Sequence, residues 1–80
     1  MIVLEKYKKV FIESLSIEEK NFSEEMKYND IPEWDSIGHM TLMSALEDEF
    51  KITLETDDII DFSSYKKGIE LLSSKYEIKF

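Results

Sequence analysis

The sequence holds one proline, Pro32, and four residues beyond it a helical pattern begins that runs unbroken to Phe50. No other stretch constrains the fold as strongly. A proline pushes the residue before it out of helical geometry, so whatever precedes Pro32 ends there and Ser36 falls at the start of a new helix. At about 100° per residue, Met40, Met43, Leu46 and Phe50 share one stripe with Leu42 and His39 at its edge, while Ile37, Thr41, Ser44 and Asp48 fall opposite. One face is predicted to be core and the other open. Asp35 is placed to cap this helix by accepting a hydrogen bond from a first-turn amide. The Ser36 hydroxyl then stands at the exposed positive end of the helix, where an attached negative group is favoured.

The 80 residues are read as one small domain, 1–80, near the size at which a single hydrophobic core just suffices. The chain has no cysteine, which excludes disulfides, a thiolate metal site and a cysteine nucleophile, and suits a cytoplasmic protein. With one histidine as well, no zinc site is expected. A net charge of −8 with no arginine is the wrong sign for a protein that tracks nucleic-acid phosphates. The charge is uneven: Glu13 to Asp61 holds fifteen acids against three lysines, and the two ends hold three acids against seven. The negative field surrounds Ser36 and favours partners with basic patches. The opening Met1-Ile2-Val3-Leu4-Glu5-Lys6 turns charged too soon for a signal peptide, and no apolar run approaches a membrane span. A soluble, free-standing monomer without membrane insertion is expected.

Taken in order, Val3, Leu4, Tyr7, Val10, Phe11 and Leu15 predict a first helix over about 2–14, with Lys6, Lys8 and Lys9 towards solvent. Ser16-Ile17-Glu18-Glu19 predicts one short turn, followed by a long loop to Trp34 that Phe22, Met26, Tyr28 and Ile31 tack onto the core. After Phe50, Ile52 and Leu54 pack inward from an extended segment that has no second strand to pair with. Thr56 is read as the cap of a short helix with Asp57 and Asp58 in its first turn. Ser63 or Ser64 caps a last helix whose inward stripe is Tyr65, Ile69, Leu72 and Tyr76, at the cost of Gly68 within it. The tail Glu77-Ile78-Lys79-Phe80 is compatible with fraying or folding back. The fold class is all-α: an antiparallel four-helix bundle with a short third helix and a long loop between helices one and two.

Asp35-Ser36-Ile37, followed by a helix ending Ala45-Leu46-Glu47-Asp48-Glu49-Phe50, resembles the modification site and second helix of acyl carrier proteins and their peptidyl carrier relatives. The likeness covers nearly the whole chain and is strongest over Glu33 to Phe50 and Asp57 to Phe62. In that family the serine of an Asp-Ser-Leu-type motif carries 4′-phosphopantetheine, transferred from coenzyme A. Its terminal thiol holds an acyl or aminoacyl group as a thioester, and Ser36 is the matching position. The resemblance implies a carrier and not an enzyme, served by a phosphopantetheinyl transferase, a loading ligase, and synthases and transferases with basic patches. By position, Asp35 would cap the helix and help the transferase bind. Ile37 would be an exposed apolar contact, and Thr41, Glu47 and Asp48 would face partners. His39, Met40, Met43, Leu46, Ile59 and Phe62 would border a cavity for the acyl group, although the methionines read equally well as plain core. His39 has two readings: a ring packed at the cavity rim with no chemical role, or a group that favours a polar acyl or amino-acid cargo. Thr41, where an acid is common, and Trp34, where a small residue is common, look more like carriers of specialised pathways such as polyketide, nonribosomal-peptide or surface-polysaccharide assembly.

Two other readings are set aside. Asp35, Ser36 and His39 contain the residue types of a hydrolytic triad, but within one helical turn they provide no acid-to-base-to-nucleophile line and no oxyanion hole. Asp57-Asp58-Ile59-Ile60-Asp61 has the spacing of a magnesium-binding sequence and is read instead as a helix-start cluster. The competing function is an unmodified interaction module that uses Ile37 and the acidic rim for protein contacts alone.

Overall fold

A computed structural model describes residues 2–80. The chain forms helices α1 (Val3–Ser14), α2 (Ser36–Phe50), α3 (Thr56–Asp61) and α4 (Tyr65–Lys75), with a 3-10 turn at Glu19–Asn21 and no strand among the described residues. α1 buries Tyr7, Val10 and Phe11 and packs against α2. Of the three lysines expected to face solvent on α1, Lys9 does so, while Lys6 and Lys8 are half-buried; Lys8 lies over the Phe22 ring at 5.2 Å from its centroid. α1 and α2 end alike. Ser16 (φ 55°) and Lys51 (φ 54°) turn left-handed, and the next amides, of Ile17 and Ile52, return to the carbonyls of Ile12 and Glu47 at 3.2 and 3.1 Å. Neither is glycine, so each accepts some steric strain to close its helix.

The core is aromatic at its centre. Tyr7, Phe11, Trp34, Phe62 and Tyr65 are all essentially inaccessible, and Phe11 lies edge-on to Tyr7, Trp34 and Tyr65 at centroid distances of 5.0 to 5.3 Å. The Tyr7 hydroxyl donates to the Tyr65 carbonyl at 2.7 Å, which satisfies a polar atom where water is absent. Burial and the neighbouring Tyr65 push the Tyr7 hydroxyl far above the ordinary tyrosine range. Gly68 explains itself here. A Cβ at that position would lie 2.1 Å from both the Phe62 ring and the Tyr7 hydroxyl, so α4 reaches the aromatic cluster only because it carries no side chain there. The tail folds back: Glu77 is left-handed (φ 59°), Ile78 packs against the core, and the Phe80 ring meets Tyr7 edge-on at 5.3 Å.

The stretch before α2 is closed on itself by hydrogen bonds. Lys27 N–H donates to the Asp30 carboxylate (2.8 Å), Asn29 N–H to the Trp34 carbonyl (3.0 Å) and Trp34 N–H to the Ile31 carbonyl (3.1 Å). Tyr28 N–H to the Ser63 carbonyl (2.9 Å) and Tyr65 N–H to the Met26 carbonyl (3.0 Å) then tie this loop to the α3–α4 junction. Gly38 lets the loop rest on the first turn of α2, since a Cβ there would lie 2.0 Å from the Glu33 carbonyl oxygen.

Two further details of the helices depart from expectation. The buried residues of α2 are His39, Leu42, Met43 and Leu46, so its stripe is rotated towards Leu42 and away from Met40; Met40 is 52% exposed and Phe50 only partly buried. Met40 lies over the gap between α2 and α3, which the six-residue α3 is too short to cover. Thr56 is the first residue of α3 and no cap: Glu55 precedes the helix without a side-chain bond to it. Ser64 caps α4, accepting from Lys67 N–H at 2.9 Å.

Candidate functional site

Asp35 is the N-cap of α2, its carboxylate accepting from Gly38 N–H at 2.8 Å. A cap of this kind stabilises a helix by about 0.5–2 kcal/mol. It also leaves Ser36 as the first helical residue, exposed, at the end of the helix where first-turn amides have no intrahelical partner. The Ser36 hydroxyl has one side-chain partner, the Tyr28 phenol at 3.0 Å.

Ser36 opens onto a cleft of about 340 Å³. α2 contributes Ser36, His39 and Met40, α3 contributes Ile59 and Ile60, the α3–α4 junction contributes Phe62 and Ser63, and the loop contributes Tyr28. Among the residues expected to border a cavity, His39, Met40, Ile59 and Phe62 lie there, whereas Met43 and Leu46 are sealed in the core at 1% and 0% exposure. Both belong to the buried core and leave Met40 at the edge of the stripe that meets the cleft. Tyr28, Ile60 and Ser63 belong to the cleft without having been expected there. Tyr28 and Ser63 have no periodic signal, because a backbone bond between distant loops places them together. Ile60 could have been found from the apolar run of α3, where it is left 72% exposed beside the opening.

His39 is fixed at both ring nitrogens. Trp34 Nε1–H donates to His39 Nδ1 at 3.0 Å, and an indole nitrogen can only donate, so Nδ1 accepts and the ring proton sits on Nε2. Nε2–H donates to the Ile59 carbonyl at 2.8 Å. The Trp34 and His39 rings are within 18° of coplanar with centroids 6.2 Å apart. His39 thus ties the buried Trp34 to α3 and fixes the width of the cleft. Its polar atoms are taken, which leaves ring carbons for the lumen and supports the packing reading over cargo selection.

α3 is held from its other side by Asp58, 3% exposed. Lys75 Nζ reaches one carboxylate oxygen at 2.8 Å and the Tyr76 hydroxyl donates to the other at 2.6 Å. These hydrogen bonds, Lys75 first, hold the Asp58 carboxyl below the usual carboxylate range, and the same contact raises the Lys75 ammonium. Asp58 therefore turns away from Asp57 and Asp61, both of which are exposed. Among the described residues no three metal-ligating side chains converge.

The residues expected to face partners divide. Ile37 is 79% exposed at the start of α2. Thr41 and Asp48 are exposed and line a separate groove against α1, with Lys6, Glu13 and Glu49. Glu47 is partly buried, and its carboxylate accepts from Leu54 N–H at 2.8 Å, so it fastens the connection from α2 to α3.

An all-helical chain with an exposed serine at a helix start, beside an apolar cleft, is the arrangement that the sequence resemblance leads one to expect of a carrier protein. No protein-family profile matches the chain. It is 28% identical over 76 residues to a protein of Petrotoga mobilis named acyl carrier protein, an alignment that spans 95% of this chain and 89% of that relative. Among the described residues no helix is long and apolar enough to cross a membrane.

Proposed function

We propose that this chain is an acyl carrier: a single domain over residues 1–80, an antiparallel four-helix bundle, whose Ser36 takes 4′-phosphopantetheine from coenzyme A. The observation that carries this reading is the exposed Ser36 hydroxyl at the first turn of α2, opening onto the apolar cleft between α2 and α3. The alignment with a named acyl carrier protein over almost the whole chain supports it.

In the transfer, Ser36 Oγ forms a bond to the phosphorus bearing the pantetheine, and the bond from that phosphorus to the bridging pyrophosphate oxygen breaks. The adenosine bisphosphate half leaves, and the serine proton passes to a base of the transferase. This chain supplies an exposed nucleophile and, in the product, helix amides beside a negative phosphodiester, worth about 0.3–1 kcal/mol at an exposed site. So small an increment does not select the serine. Selection falls to the transferase, through Asp35, Ile37 and the acidic surface. When bound, the group supplies the thiol that holds an acyl or aminoacyl cargo as a thioester.

His39, Met40, Ile59, Ile60 and Phe62 form the apolar walls against which a cargo would rest. The partners are a phosphopantetheinyl transferase, a loading ligase, and synthases or transferases with basic surfaces, acting on a cytoplasmic monomer. A tether raises the effective concentration of the cargo at each successive active site, which a bare bundle cannot do.

The test is intact mass before and after incubation with coenzyme A and a broad-specificity transferase. The parent protein is expected to gain one phosphopantetheine and Ser36→Ala none. A folded, initially unmodified parent that gains nothing with several transferases overturns the carrier reading in favour of the interaction module.

A further inference from the structure

Tyr28 is held at two points across the cleft. Its backbone N–H is bonded to the Ser63 carbonyl at 2.9 Å, beside the bridge that joins Lys27 to Ser64, and its hydroxyl is 3.0 Å from Ser36 Oγ at the other end. Between these points its half-buried ring meets His39 edge-on at 5.3 Å and Trp34 at 6.4 Å. The side chain lies at one end of the opening, anchored through its backbone and packed against His39 and Trp34 as well as bonded to Ser36.

Resting on the carrier reading, we propose that Tyr28 is a positioning residue for the phosphopantetheine arm, its phenol donating to the phosphodiester once Ser36 is esterified and holding the root of the arm at the cleft mouth. In the free protein either hydroxyl can donate to the other. Esterification removes the serine hydrogen, and the phenol is then the one remaining donor of the pair. The acceptor it faces has changed from a neutral hydroxyl to a group with anionic oxygens on the atom next to Oγ. Hydrogen bonds to ionised acceptors are shorter and about twice as strong as neutral ones. Modification therefore reinforces the contact, on a side chain already anchored through its backbone.

The test uses fully loaded protein, verified by intact mass, for the parent and Tyr28→Phe. In the parent, a nuclear Overhauser effect is expected between the Tyr28 ring protons ortho to the hydroxyl and the arm's methylene next to the phosphate. In Tyr28→Phe the ³¹P resonance is expected to shift and narrow as the phosphodiester gains freedom. The Trp34 indole N–H resonance stays in place, because the His39 contact is intact. Identical ³¹P shift and width in both proteins overturn the proposal while leaving the carrier reading standing. Should the variant fail to fold or load, the parent alone decides: absence of the Overhauser effect overturns it. A parent that takes no arm at all brings down the carrier reading and this inference together, and the mass spectrum distinguishes that outcome.

Discussion

His39 shows how one residue can be placed correctly and its chemistry left undecided. Its register put it at the edge of the buried face of α2, and the structure buries it within that face. Its partners are the Trp34 indole and the Ile59 carbonyl, five residues before His39 and twenty after it, and no local pattern names them. His39→Leu fills much of the same volume but leaves a buried indole N–H and a carbonyl without partners. We expect it to lower stability by about 1–3 kcal/mol, read by urea unfolding, while the loaded cargo stays the same. A change in cargo preference at unchanged stability would restore the selective role. Gly68 was legible only as a cost to its helix. The aromatic cluster makes it a requirement: Gly68→Ala is expected to destabilise by about 1–3 kcal/mol or more instead of gaining helix propensity, as thermal unfolding would show. Trp34 stood out in the sequence as an unusual neighbour of Asp35. Its burial and its bond to His39 give that departure a structural cause.

Among the elements, α2 was the most legible, because Pro32, the Asp35 cap and a long period mark it independently. Its rotation was not. An apolar residue at position 40 reads as core from periodicity, yet the short α3 leaves that side open and Met40 becomes part of the cleft. α3 also holds an acid whose partners no local pattern names. Asp58 sits in the first turn, as expected, but Lys75 and Tyr76, from the far end of α4 and the residue after it, enclose it. The Asp58 carboxyl is held below its ordinary range, so its contribution is complete above the unfolded value of about 3.9 and is lost as pH falls through the folded value. Asp58→Asn should therefore unfold at a lower temperature than the parent at neutral pH. The gap should close as pH drops below about 4, and a gap independent of pH would assign the effect to packing. Lys75 runs the other way: its raised value means that its share is lost only as the solution becomes strongly alkaline. The bond from Leu54 N–H to Glu47 also changes which acid reports on partners. Asp48→Lys, exposed and without such a role, is expected to slow transferase loading with helicity unchanged, measured by circular dichroism beside the kinetics. Equal rates would remove Asp48 from the interface.

At the scale of the whole molecule, the all-helical class and the four helices were legible because α1, α2 and α4 each have a period or a cap and α3 has an acidic first turn. The cleft was only half legible, since Tyr28 and Ser63 reach it through loops that meet far from one another in sequence. Charge was legible throughout. The net −8, concentrated between Glu13 and Asp61, sets up a field that steers a basic partner, and such steering is screened over a Debye length of about 8 Å at 0.15 M salt. Loading at limiting transferase is expected to slow as salt rises from low ionic strength, mainly through the apparent affinity. A salt-independent rate would show that the acids serve solubility alone. The central claim is that Ser36 carries the arm in the living cell, and peptide-level mass spectrometry on protein isolated from its own cells tests it most directly. We predict the phosphopantetheine on the peptide containing Ser36 and on no other serine of the chain. Protein found entirely unmodified in cells with an active transferase, or modified at a different serine, would contradict it.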